Sequence, residues 1–170
     1  MPLLVIGLVA LLVLGYREAK DEAEACRDAK SFAWFQNQMA VEDAVTRDLR
    51  PSIPDADRAT QLLSLSLEYE SASRSYGVLS KLVSEEPSAW LPWRELGRAL
   101  DRRAKSAEYV ATVYEDPPDA LAASERRRID EHAGRISLAD GVLQLQAAQA
   151  LSDRGFDFDV QPDGRFVVRC

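Results

Sequence analysis

The sequence predicts an all-α chain. A single N-terminal transmembrane helix continues into an antiparallel up-down bundle of three to four long helices, and a small C-terminal β-hairpin follows. Three observations carry this. Residues 1–16 read MPLLVIGLVALLVLGY, without one charged side chain. Beyond them, apolar residues recur at alternating steps of three and four, the spacing of one helix face. Residues 156–170, FDFDVQPDGRFVVRC, switch to two-residue alternation around a Pro-Asp-Gly turn. The chain therefore divides into an anchor over 1–16, a helical bundle over 17–155 and a hairpin over 156–170.

The apolar run reaches about 24 Å as a helix, short of a bilayer core of roughly 30 Å. Its length also suits the apolar core of a signal peptide, with Val13 and Gly15 permitting a cut after Gly15. Retention as an anchor is the preferred expectation. Arg17, Lys20, Arg27 and Lys30 follow the span and nothing basic but the amine precedes it. The bias of Lys and Arg toward the cytoplasmic side then favours a cytoplasmic body.

Residues 17–50 open with REAKDEAEACRDAK, rich in strong helix formers, and nothing interrupts them before Pro51. Two adjacent stripes are available for packing: Trp34, Val41, Val45 and Leu49, or Phe32, Phe35 and Met39. Pro51 and Pro54 end the helix, and Asp55 or Asp57 caps the next. In that next segment Leu63 to Glu70 alternates like a strand. Leu62, Leu65, Tyr69, Ala72, Tyr76, Leu79 and Val83 keep a heptad over a longer stretch, which predicts a helix over about 57–85. Pro87 closes it.

The third helix starts at Pro92, with Trp93, Leu96, Leu100, Ala107, Val110 and Tyr114 on its seam. Arg103 takes the one missing seam position, where it is expected to snorkel outward. Glu115-Asp116-Pro117-Pro118-Asp119 breaks the chain again. A fourth helix over about 120–153 carries Leu121, Ile129, His132, Ile136, Leu143, Ala147 and Ala150, and Gly155 suits the position just past its end. Short connections make consecutive helices antiparallel neighbours. An open arrangement, with the first helix as a stalk, is the alternative.

In the hairpin, a three-residue loop with Gly164 in a bulge pairs Val160 with Phe166, Phe158 with Val168, and Phe156 with Cys170. This register places every apolar side chain on one face, and a two-residue loop does not. The face must cover something, either the end of the bundle or a partner. The helix order puts the hairpin and the 86–92 loop at the end of the body nearest the anchor. Trp90 and Trp93 there are candidates for a membrane interface.

The balance of 21 Lys and Arg against 28 Asp and Glu, a net charge of −7, argues against a nucleic-acid binder. No phosphate-binding glycine loop, CxxC, HExxH or EF-hand pattern occurs. The single histidine, His132, has Ile129 rather than Glu three residues before it, so the paired Glu-x-x-His motif of di-iron bundles is absent. No catalytic, cofactor or metal-binding residues are assigned. Only residues 88–114 are basic, at +2, with Arg94, Arg98 and Arg102 at successive helical turns and Lys105 beyond them. Arg126-Arg127-Arg128 is a second cluster. In a cytoplasmic body Cys26 and Cys170 stay reduced. In the opposite orientation each can link two chains.

These features lead to one functional expectation, a membrane-anchored, non-enzymatic helical scaffold or accessory subunit. Its partners are membrane lipid, through residues 1–16, and a partner protein or a second copy of itself. The docking residues are Phe156, Phe158, Val160, Phe166 and Val168 of the hairpin, and Arg94, Arg98 and Arg102. The alternative is an exported, signal-cleaved helical binding module, or a membrane-lysis protein laid out like the spanins.

Overall fold

The computed structural model describes residues 2–48, 58–86, 88–115 and 123–170, with helical side chains at 14–39, 60–84, 93–115, 124 and 126–153. The elements are α1 (Pro2–Asp48), α2 (Arg58–Ser84), α3 (Trp93–Glu115), α4 (Ala123–Asp153), β1 (Asp157–Val160) and β2 (Phe166–Arg169). The expected breaks at Pro51–Asp57, Pro87 and Pro117–Asp119 lie outside the described residues, as do Leu49, Leu121 and the side chains of Val41 and Val45.

The heptad of α2 prevails over the strand-like alternation. Leu62, Leu65, Tyr76 and Val83 are buried against α3, and Leu63 and Leu67 face outward. Ser66 turns inward and donates its hydroxyl to the Ala111 carbonyl at 3.2 Å. Ser80 does the same to the Gly97 carbonyl at 3.1 Å. The two contacts, Ser66 with Ala111 and Ser80 with Gly97, run antiparallel along both helices, and Tyr69 lies beside Tyr114 near one end. Gly97 lies in this contact, where an added Cβ would sit 3.5 Å from Val83. Leu96 and Leu100 are fully buried. α4 runs antiparallel along α3, with His132 stacked on Tyr109 at 5.1 Å near one end.

One expectation for α3 is overturned. Arg103 does not snorkel outward; it is 5% exposed and paired with Asp140 of α4. Its seam position faces both α2 and α4, where the Asp140 carboxylate holds it inward. A buried guanidinium is tolerated only where a counter-charge and hydrogen bonds satisfy it. Tyr76 supplies a hydroxyl at 3.3 Å and a ring face at 5.7 Å.

On α1 the Phe32 stripe forms the core face. Ala25, Ala29, Phe32, Gln36 and Met39 are buried at steps of four and three, whereas Trp34 is 53% exposed. Phe32 and Phe35 meet the Trp93 ring edge-on at 5.0 and 6.0 Å. Among the described side chains of α1, packing begins at Ala25; residues 14–24 are exposed all round. Among the described residues no helix is long and apolar enough to cross a membrane. The side chains of residues 1–13, most of the expected anchor over 1–16, lie outside the described residues.

α4 ends on Gly155 at φ 74°, in the left-handed region. The Gly155 N–H donates to Ser152 O and the Phe156 N–H to Leu151 O, the two bonds of a Schellman cap. The hairpin takes the register expected from its binary pattern: Val160 opposite Phe166, Phe158 opposite Val168, Asp157 opposite Arg169. Gln161 and Arg165 close the loop at 2.8 Å, and Gly164 has φ 84°. β2 lies against α1 and β1 against α4, so the hairpin sits between these two helices.

Candidate functional site

Two constructions on this frame carry polar chemistry. The first is a clasp between α1 and β2. The Asn37 side chain makes both hydrogen bonds that a neighbouring strand would make: the Phe166 N–H donates to Oδ1 at 2.7 Å, and Nδ2 donates to the Phe166 carbonyl at 2.9 Å. Eleven residues before Asn37, about three helical turns and so on the same face, stands Cys26. It is disulfide-bonded to Cys170, with the two Cα atoms 6.0 Å apart. Four residues of strand cover about 13 Å and eleven of helix about 16 Å, so the two fastenings are in step. Buried Ala29 and Ala33 lie between them, small enough for the strand to approach the helix closely.

This corrects the reading of the cysteines. They neither stay reduced nor join two chains; they pair within one. Cys170 lies on the apolar side of the hairpin because the bulged register puts it there, on the same side as Phe166 and Val168. That side faces α1. The sequence held the signal, two cysteines and a hairpin register, but nothing in it aligned that hairpin with α1. Asn37 gave no signal at all.

The second construction is a cleft of about 660 Å³ among all four helices and the hairpin turn. Its walls mix apolar and polar residues, with Met39, Val110, Ile129 and Ile136 among the apolar ones. Its polar groups are the Arg103–Asp140 pair, Tyr76, Ser106 and Gln36. Gln36 is 3% exposed, and its Oε1 has no hydrogen-bond partner among the described residues. At the rim of the cleft the turn is fixed locally. The Arg165 backbone N–H donates to Asp163 at 3.1 Å and, with the Arg165 side chain, holds this carboxyl below the usual aspartate range.

The expected docking residues divide into two groups. Phe156, Phe158, Phe166 and Val168 turn inward, onto the core: Phe156 stacks on Trp90 at 5.9 Å, and Phe158 on Phe166 at 5.9 Å. Val160 is 49% exposed. Arg94, Arg98 and Arg102 are exposed along one side of α3. Trp93 belongs to the core and donates its indole N–H to Ser88. Trp90 is half-buried, with the Arg154 guanidinium 5.1 Å over its ring. The 86–92 loop and the hairpin therefore do meet at one end of the body, as the order of helices implied. Across the hairpin Arg169 pairs with Asp159, not with Asp157 directly opposite it. No family model matches the chain, and neither a curated protein nor a solved structure resembles it.

Proposed function

We propose that this chain is a membrane-tethered, non-enzymatic helical scaffold that binds a partner protein, with its body outside the cytoplasm. The observation that carries the reading is α1. It is one helix from Pro2 to Asp48, yet among its described side chains, 14–39, those before Ala25 are all exposed. Residues 17–24 therefore act as a stalk of about 12 Å between the body and the apolar segment.

Cys26–Cys170 supports the extracytoplasmic side. Structural disulfides persist in oxidising compartments and are rare in the cytosol. This outweighs the four Lys and Arg residues after the apolar run, because that bias rests on a single short helix. A non-enzymatic role is supported by the cleft, whose charged groups neutralise each other, and by His132, which is stacked on Tyr109. The exposed surface offered to a partner is the arginine face of α3 together with Val160. The same disulfide equally favours the second reading, an exported module released by cleavage after Gly15.

The mature N-terminus of the native chain, determined together with membrane fractionation, separates the two. Tethering requires residues 1–16 to be retained and the chain to stay with the membrane through alkaline washing. A chain that begins beyond Gly15 and remains in the supernatant refutes it.

A further inference from the structure

α4 carries a second seam that its own body does not use. Gly134, Leu138, Gly141 and Leu145 follow one another at steps of four and three, about 140° round the helix from the buried face of Leu143, Ala147 and Leu151. Leu138 and Leu145 are each 73% exposed. Glycine is the poorest helix former after proline. Yet an added Cβ at Gly134 or Gly141 would meet nothing within 4 Å. The fold itself gives no reason for either glycine. Large side chains alternating with notches make a surface suited to another helix at close approach.

We infer that this seam is the interface of a two-fold dimer, in which α4 packs antiparallel against α4 of a second copy. The argument for a second copy is that the pattern closes on itself. In an antiparallel pair centred between Ala139 and Asp140, Leu138 falls opposite Gly141 of the other chain and Leu145 opposite Gly134. The two-fold axis repeats both contacts, as an isologous interface requires. A parallel pair would set leucine against leucine and leave the glycine notches empty. No like charges oppose one another in the antiparallel register: Arg135 comes opposite Gln144, Ser137 opposite Val142, and Glu131 opposite Ala148. The inference stands on α4 alone and holds whether or not the chain is tethered. One helix pair is a small interface, so the dimer is a weak one in solution, and confinement to a membrane would strengthen it.

Sedimentation of the full chain in detergent, over a range of concentrations, tests it. The wild type is expected to dimerise reversibly in the micromolar range. Gly134→Ala with Gly141→Ala is expected to raise the melting temperature of the monomer and yet weaken the dimer about tenfold or more, by filling the notches. Leu138→Glu with Leu145→Glu should leave a folded monomer. For orientation, chains carrying Glu131→Cys are mixed with chains carrying Ala148→Cys. The antiparallel pair gives mixed disulfides, and like-with-like products would contradict it. A wild type that stays monomeric up to about 100 μM overturns the inference and leaves the seam to a different partner. So does a dimer that the alanine and glutamate variants leave unchanged.

Discussion

Between α2 and α3 the contact is repetitive. Leucine, valine, alanine and aromatic side chains interdigitate turn after turn, and the two serine-to-carbonyl bonds only supplement them. Between α1 and the hairpin the contact is made at points: a disulfide at Cys26, an amide clamp at Asn37, and small residues between. The Arg103–Asp140 pair joins α3 to α4 in the second manner. A repetitive seam spreads its stabilisation over many residues and tolerates the loss of any one by degrees. A point contact fixes the position of an element, and one substitution removes it.

The largest effect is expected where a point contact leaves a charge stranded. Asp140→Ala takes the counter-charge from a guanidinium that is 5% exposed. It should cost about 3–5 kcal/mol, as for other broken buried pairs. Asp140→Ala combined with Arg103→Met should recover much of that loss in denaturant unfolding. A double variant no more stable than Asp140→Ala alone would show that the pair is not what fixes α4.

In the repetitive seam, Leu100→Ala creates a void at a fully buried site and should cost about 2–5 kcal/mol. The loss should appear as global unfolding, with amides of α2 and α3 exchanging together. Asn37→Ala removes two hydrogen bonds to Phe166 and should cost about 1–3 kcal/mol. Its increase in hydrogen exchange should be confined to the hairpin and the facing turns of α1. A uniform increase along α2 and α3 would erase the distinction drawn between the two regions.

The smallest effect is at the turn. The Asp163 carboxyl is held below its ordinary value, chiefly by the Arg165 N–H. A group with a depressed folded-state pKa stabilises above its unfolded value, near 3.9, and loses that contribution as the pH falls through the folded one. The Arg165 amide resonance should therefore titrate with a midpoint below the ordinary aspartate value, and Asp163→Asn should abolish the transition. A midpoint at or above the ordinary value would mean that the turn is not closed by this bond.

The two regions also differ in how far the sequence revealed them. The α2 and α3 seams could be read because a heptad repeats: each further turn confirms the last, which is why the short Leu-Ser alternation was outvoted. The hairpin register could be read because one loop length sorts every apolar residue to one face. Point contacts leave no such trace. Asn37 is one amide among several polar residues of α1, and only the placement of β2 gives it a role. Arg103 looked like a snorkelling exception because Asp140 lies 37 residues away on another helix. The cleft follows from how α4 sits on α3, which no local pattern encodes. Gly134 and Gly141 were visible as weak points of a helix, and became informative once the space around them proved open.

The clasp fixes the hairpin on α1, and the proposed placement of the body outside the cytoplasm depends on it. Its most direct test is the intact mass of the native chain after thiol blocking in denaturant, with and without prior reduction. An intrachain Cys26–Cys170 bridge predicts the mass of a single chain with neither cysteine blocked before reduction and both blocked after it. A native chain that takes up blocking reagent at both cysteines without reduction would contradict it.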